Sequence, residues 1–268
     1  MINLPVTKSL DLEIENGWLN IWFNEPKIRN ALTQERIKEL QNLCNTLNTA
    51  RDVRGVTFRG RENIFCAGVD LKAVQMLFQS KPSRNEIFNY SKVAGDLMSS
   101  INSLPQIVVM AVEGAAIAGG FGIACLGDFV LADSKTKFSL TETKLGLSPA
   151  QIAPYVAQRL GFSRARQLML TGASFLGEEA LAIGLVDKLT NSSQDMFNEE
   201  LRIKELTLSC APGAVAETKN IILKIPYLSK KEYMELAAKN FTDRVLSDEG
   251  REGVLSFIQK RKPSWFGK

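Results

Sequence analysis

The sequence predicts an α/β fold closed by a helical C-terminal region, and three observations carry that expectation. Short β-branched runs alternate with amphipathic stretches over residues 1–190. Apolar residues then recur only at helical spacing over residues 191–268. Between a strand and a short helix lies a glycine-rich segment, within residues 107–154. Strands joined by helical crossovers pair in parallel. A mostly parallel core over 1–190 is therefore expected, followed by a helical region over 191–268.

The elements follow in order. Leu12, Ile14, Leu19, Ile21 and Phe23 alternate around Asn16-Gly17, the pattern of a tight hairpin. Residues 24–30 (NEPKIRN) form a loop carrying Lys27 and Arg29. Thr33 is placed to cap a helix to about residue 49, with Ile37, Leu40, Leu43, Cys44 and Leu47 on one face. A strand is expected at 53–58, then small residues at 65–71 where backbone approaches something closely. Helices are expected at 70–78 and around Ile87–Ile101, and a strand at 107–112. A short helix at 119–126 and strands at 129–132, 137–140 and 185–189 complete the core.

At 268 residues the chain can bury a sizeable core. Its 45 % apolar and 23 % charged content is ordinary for a globular chain. The net charge of +4 is spread without a basic stripe, so no specific nucleic-acid partner is expected. That mild excess suits a small anionic ligand. The four cysteines lie in apolar contexts without CxxC spacing, which predicts buried reduced thiols and a cytoplasmic setting. Residues 104–126 are apolar enough to raise the question of a membrane span, but Glu113, Pro105 and the glycines read as a buried strand and helix. The N-terminal stretch has neither a signal core nor transit character.

The chain contains no histidine. That excludes Ser-His-Asp and Cys-His catalysis and the common His-containing zinc sites. Proton transfer must come from carboxylate, Lys, Tyr or Cys groups. Gly120-Phe121-Gly122 begins a dinucleotide fingerprint, but Cys125 stands at its third glycine. Gly146-Leu147-Ser148-Pro149-Ala150 ends in Ala where a nucleophile elbow needs Gly. The glycines at 119, 120 and 122 either expose N–H groups at a helix start or permit close helix–sheet packing. Glu142 reads either as an acid/base group or as a solvated loop carboxylate.

Residues 65–71 (FCAGVDL), and 118–122 (AGGFG) through Pro149, resemble the two signature regions of the enoyl-CoA hydratase/isomerase (crotonase) family. The resemblance runs over nearly the whole chain, through PKIRNAL (26–32), LTG (170–172), residues 179–186 and FIQKRK (257–262). It implies a crotonase (ClpP/crotonase-like) ββα spiral with a helical C-terminal trimerisation region, self-associating as a trimer or hexamer. It implies an acyl-CoA thioester substrate, with coenzyme A as part of that substrate and neither cofactor nor metal. The thioester oxygen would sit between the backbone N–H groups of Val69 and Gly119. Ala67, Asp70 and Leu71 would lie along the adenine. Lys27 and Arg29 would approach the phosphates, with Lys72 a further CoA contact. Phe257 and Lys260 would reach CoA, in one version from a neighbouring subunit.

One departure from the family pattern is informative. Family hydratases commonly use two glutamates. The loop glutamate maps onto Glu142, but the helix glutamate maps onto Gly122, which has no side chain. The loop after Glu142 also lacks the Gly-Gly-Thr run of straight-chain hydratases. It resembles one-glutamate hydratases of methylglutaconyl- and isohexenylglutaconyl-CoA. Three expectations stand: a lyase hydrating a 3-branched 2-enoyl-CoA, a Δ3-Δ2 enoyl-CoA isomerase, or a non-catalytic acyl-CoA or RNA-binding homologue.

Overall fold

The computed structural model describes residues 2–267. Asn16 and Gly17 both take positive φ (49° and 72°), which closes the expected hairpin. It joins β1 (Leu10–Glu15) to β2 (Trp18–Phe23), antiparallel, with Glu15 opposite Trp18. The chain then packs α1 (Gln34–Leu47) against the sheet. Thr33 accepts a hydrogen bond from the Arg36 N–H, and all five residues of the expected apolar face are buried.

After α1 come β3 (Gly55–Gly60), α2 (Leu71–Gln79), α3 (Arg84–Asn102), β4 (Ile107–Val112), β5 (Ala115–Ile117) and α4 (Gly119–Ala124). Next are β6 (Phe129–Asp133), β7 (Lys137–Ser139), α5 (Ala153–Thr171), β8 (Ser174–Leu176), α6 (Gly177–Ala182) and β9 (Lys188–Thr190). The main sheet runs β1-β2-β3-β4-β6-β9, parallel after the first pair. A second sheet runs β5-β7-β8. Four helices end the chain: α7 (Ser193–Ser209), α8 (Pro212–Lys224), α9 (Lys230–Leu246) and α10 (Asp248–Ile258).

Strand alternation places Val108, Met110 and Val112 in the main core, beneath α1, α3, α4 and α5. Val109 and Ala111 face the other side, where Met196 and Ile203 of α7 close a smaller core. No helix among the described residues is long and apolar enough to cross a membrane.

The structure corrects several expectations. The strand expected at 53–58 starts at Gly55; Arg54 beside it still donates its N–H to the Gly17 carbonyl and accepts from the Ile107 N–H, while its guanidinium donates to the carbonyls of Thr207, Cys210 and Trp265. The strand expected at 185–189 starts at Lys188, since the Leu185 and Val186 N–H groups both return to the Ala180 carbonyl and close α6. The short helix expected to residue 126 ends at Ala124. β5 and β8 span three residues each, too short to leave an alternation in the sequence. Cys44, Cys66 and Cys125 are buried, but Cys210 is exposed at the end of α7, not in the apolar surroundings expected of it.

Candidate active site

Three segments far apart in sequence are stitched together beside the second sheet. The Leu32 N–H donates to the Gly68 carbonyl at 2.7 Å, and the Ala67 N–H to the Arg29 carbonyl at 3.0 Å. The Cys66 N–H donates to Ala115, and Cys66 in turn accepts from Ile117, each at 3.0 Å. Residues 29–32, 66–69 and 115–119 thus run side by side.

Two backbone features make that approach possible. Gly68 has φ +84°, and a Cβ there would stand 2.6 Å from the Ile117 carbonyl oxygen and 3.2 Å from the Gly119 nitrogen. Ala118 has φ 51° and ψ −116°, a conformation that L-residues adopt only under constraint. It ends β5 and starts α4, with its own N–H bound to the Ser139 carbonyl at 2.8 Å. Gly119 opens α4 and lies against the other segment, since a Cβ there would be 3.7 Å from Gly68 Cα and 3.9 Å from Val69 Cγ2. Neither the Val69 nor the Gly119 N–H has an acceptor among the described residues. Two such free donors, one of them at the start of α4, favour a developing negative charge.

These segments wall one cavity of about 460 Å³. Val69, Ala118 and Glu142 line it, together with Ala67, Asp70, Leu71, Lys27, Arg29 and Lys72. Gly119 is not among the lining residues; it follows Ala118 in the chain and packs against Gly68 and Val69. Lys27, Arg29 and Lys72 make no ion pair among the described residues, so three cations face the cavity unneutralised. The Asp70 carboxylate is engaged as a helix cap, accepting from the Lys72 N–H at 3.0 Å and the Ala73 N–H at 3.4 Å.

Glu142 begins the single-turn helix Glu142–Leu145, held by the Leu147 N–H on the Glu142 carbonyl and by the Thr143 hydroxyl on the Met169 carbonyl. Its side chain is half-buried, and its Oε2 is buried without a hydrogen-bond partner among the described residues. Burial pushes its carboxyl above the ordinary value, opposed by its own backbone N–H. A carboxylate with a free buried oxygen and a raised pKa is suited to taking up and returning a proton.

The other acid lining the cavity, Asp70, is engaged as the α2 cap, and among the described residues no further acid lines it. A Cβ on Gly122 would overlap Ile152 Cγ2 and stand 2.7 Å from Ile152 Cβ, so an apolar side chain already fills that space. Asp128 is tied to the Val108 N–H and to Lys219, each bond under 3 Å. Glu113 lies near Arg59, Asp133 and Glu200, away from the cavity. Among the described residues no cluster of three or more Cys, Asp or Glu side chains is placed to hold a metal.

Two expected contacts lie elsewhere in the single chain. Phe257, on α10, is 85 % exposed, and Lys260 follows that helix with φ 54°. Neither lines the cavity. Conversely, Ile28, Leu145 and Leu147 line it without having been expected there. Their signal was apolar side chains inside otherwise polar loops, PKIRN and ETKLGL.

The chain matches the enoyl-CoA hydratase/isomerase family model over residues 13–268. It is 37 % identical to the solved Pseudomonas aeruginosa AtuE, with a TM-score of 0.93 over 96 % of this chain and 99 % of that one. An enoyl-CoA hydratase/isomerase from Marinobacter aquaeolei superposes with a TM-score of 0.92 at 32 % identity, covering 97 % and 99 %. Mouse mitochondrial methylglutaconyl-CoA hydratase is 27 % identical over 263 residues, 96 % of this chain and 82 % of its own.

Proposed function

The chain belongs to the enoyl-CoA hydratase/isomerase family, and from that premise we propose that it hydrates a 3-branched 2-enoyl-CoA thioester with Glu142 as its one proton-transfer group. The observation that carries this reading is the meeting of Val69, Ala118 and Glu142 on one cavity, with Gly119 next in the chain after Ala118 and packed against Gly68 and Val69.

The reaction begins with a water beside the Glu142 carboxylate. Glu142 takes its proton while the oxygen bonds to the β-carbon. The π pair moves onto the α-carbon and thioester oxygen, where the Val69 and Gly119 N–H groups stabilise the enolate. Protonated Glu142 then returns the proton to the α-carbon, and the thioester carbonyl re-forms. Atoms balance, and the carboxylate ends as it began.

A branch at the β-carbon supports this economy. The β-carbon of such an ester carries two carbon substituents, which stabilise the positive character that polarisation of the thioester places there and, on this reading, lessen the need for a second acid/base. The likeness to a methylglutaconyl-CoA hydratase points the same way. Lys27, Arg29 and Lys72 would receive the CoA phosphates, and Ala67, Asp70 and Leu71 the adenine. Phe257 and Lys260 would complete that site from a second subunit of a trimer or hexamer. Exposed Phe241, Val254, Leu255 and Phe257 on α9 and α10 give the 191–268 region an apolar face suited to that role.

Double-bond isomerisation is the second reading, favoured by the same lone carboxylate, which can carry a proton from one carbon to another. Turnover in heavy-oxygen water separates them. Hydration places solvent oxygen in a 3-hydroxyacyl-CoA. A shifted double bond with no label in the product would replace hydration with isomerisation.

A further inference from the structure

Among the described residues, six polar side chains line the cavity. Lys27, Arg29 and Lys72 are cations, Asp70 is engaged as a cap, and Glu142 carries the proton in the reaction proposed above. Thr141 is the sixth, and its hydroxyl is the one uncharged hydrogen-bonding group among them. It precedes the turn Glu142–Leu145, a position where threonine ordinarily accepts an N–H from the first turn. Thr33 does so at the start of α1, with ψ 161°. Thr141 has φ −93° and ψ −6°, already helical, and its side chain makes no cap bond. Its Oγ has no partner among the described residues. The threonine on the other side of Glu142 is tied down: the Thr143 hydroxyl donates to the Met169 carbonyl at 3.1 Å, and Thr143 does not line the cavity.

No hydrogen bond joins the Thr141 hydroxyl to the Glu142 carboxylate, although both residues line one cavity. A water between them meets two acceptors. Bonded to the carboxylate alone, it turns freely about that bond, and its lone pair samples directions away from the β-carbon. A second acceptor, for its other hydrogen, stops that rotation. Lys27, Arg29 and Lys72 cannot supply it, since ammonium and guanidinium groups only donate. We propose that Thr141 is a catalytic residue, whose hydroxyl accepts the second hydrogen of the attacking water. The proposal rests on the hydration described above and adds the group that aims the nucleophile. One O–H bond of the water breaks towards Glu142 as its oxygen bonds to the β-carbon. The other hydrogen remains on that oxygen as the product's hydroxyl hydrogen, still bonded to Thr141, which neither gains nor loses a proton.

The test compares Thr141→Val, which keeps the shape and removes the hydroxyl, with Thr141→Ser, which returns it. Thr141→Val is expected to lower kcat for a 3-branched 2-enoyl-CoA by about fivefold to tenfold, the size of one hydrogen bond lost from the transition state. Affinity for a saturated acyl-CoA should not change, and Thr141→Ser should recover most of the lost rate. The acidic limb of the pH profile, which reports the ionisation of Glu142, should stay in place, because the hydroxyl does not bond the carboxylate. A folded Thr141→Val protein with wild-type kcat overturns the proposal. So does a loss confined to KM, which would put the hydroxyl on the bound thioester, and so does a displaced pH limb, which would put it on Glu142.

Stability gives a separate readout. Removing a hydroxyl that ties nothing should leave the melting temperature unchanged, whereas Thr143→Val cuts the bond to Met169 and should lower it. A Thr141→Val protein that melts as low as Thr143→Val assigns the hydroxyl to the fold and overturns the proposal. Wild-type protein distinguishes the two levels. If it hydrates no 2-enoyl-CoA, the proposed function fails and this role with it. If it hydrates the branched ester and Thr141→Val does so equally well, only the role of Thr141 fails.

Discussion

Gly68→Ala tests the placement of the oxyanion donors. The residue sits at φ +84°, where a side chain costs about 1–2 kcal/mol in backbone conformation alone. The added Cβ would stand 2.6 Å from the Ile117 carbonyl oxygen, 3.0 Å from Ala118 Cβ and 3.2 Å from the Gly119 nitrogen. Relief requires residues 67–69 and 117–119 to move apart by several tenths of an ångström, and those segments carry the Val69 and Gly119 N–H groups. Losing the aim of one such donor costs about 3 kcal/mol of transition-state stabilisation, or roughly a hundredfold in kcat. The assay is steady-state hydration of a 2-enoyl-CoA, run beside a thermal melt and binding of a saturated acyl-CoA. Gly184→Ala is the control. Gly184 has φ +81° and nothing within 4 Å of its Cβ position, so it reports conformational strain without the contact. The expected result is destabilisation in both variants, larger in Gly68→Ala by the cost of the contact, with the kcat loss confined to Gly68→Ala. A folded Gly68→Ala enzyme with wild-type kcat would refute the reasoning.

Other outcomes follow from the same geometry. Burial raises the Glu142 pKa above its ordinary 4.5, so ionising this group disfavours the folded state once the pH passes the unfolded value. The Glu142→Gln protein should therefore melt at or above wild type at neutral pH, with the difference vanishing in acid; a lower melt at neutral pH would contradict it. Wild-type kcat/KM should rise with pH through an ionisation above 4.5, because the base must be ionised. Arg29→Ala removes one unpaired cation from the cavity and is expected to raise KM roughly tenfold with kcat unchanged, an effect that shrinks at high salt. Arg36 is fully buried and donates to the Ala31 carbonyl at 2.7 Å and to Glu25 at 2.9 Å. Arg36→Met leaves both acceptors unpaired and should cost about 3 kcal/mol by denaturant melt, with a raised KM because Ala31 lines the cavity.

Much of this was legible in the sequence because its signals are local. The Asn16-Gly17 hairpin, the Thr33 cap and the apolar stripe of α1 each follow from neighbouring residues. The glycines at 119–122 also stand out among apolar neighbours, whereas the family resemblance alone singles out Val69, and Glu142, in the polar run of residues 141–144, reads locally as either an acid/base or a solvated carboxylate. What escaped depends on partners distant in sequence. β5 and β8 are strands only because Cys66 and β7 pair with them. Arg54, beside the first residue of β3, is buried to reach carbonyls more than 150 residues away. Gly122 reads in sequence as an absence. Only the fold reveals that Ile152 occupies its space, and nothing local to either residue announces the other.

The central claim is that one carboxylate performs the whole proton transfer. The most direct measurement is kcat of Glu142→Gln on a 3-branched 2-enoyl-CoA, taken together with its affinity for a saturated acyl-CoA. Removing a required acid/base should lower kcat by about a hundredfold or more, with affinity unchanged. A Glu142→Gln protein that turns over at the wild-type rate would contradict the account and move the chemistry to another group.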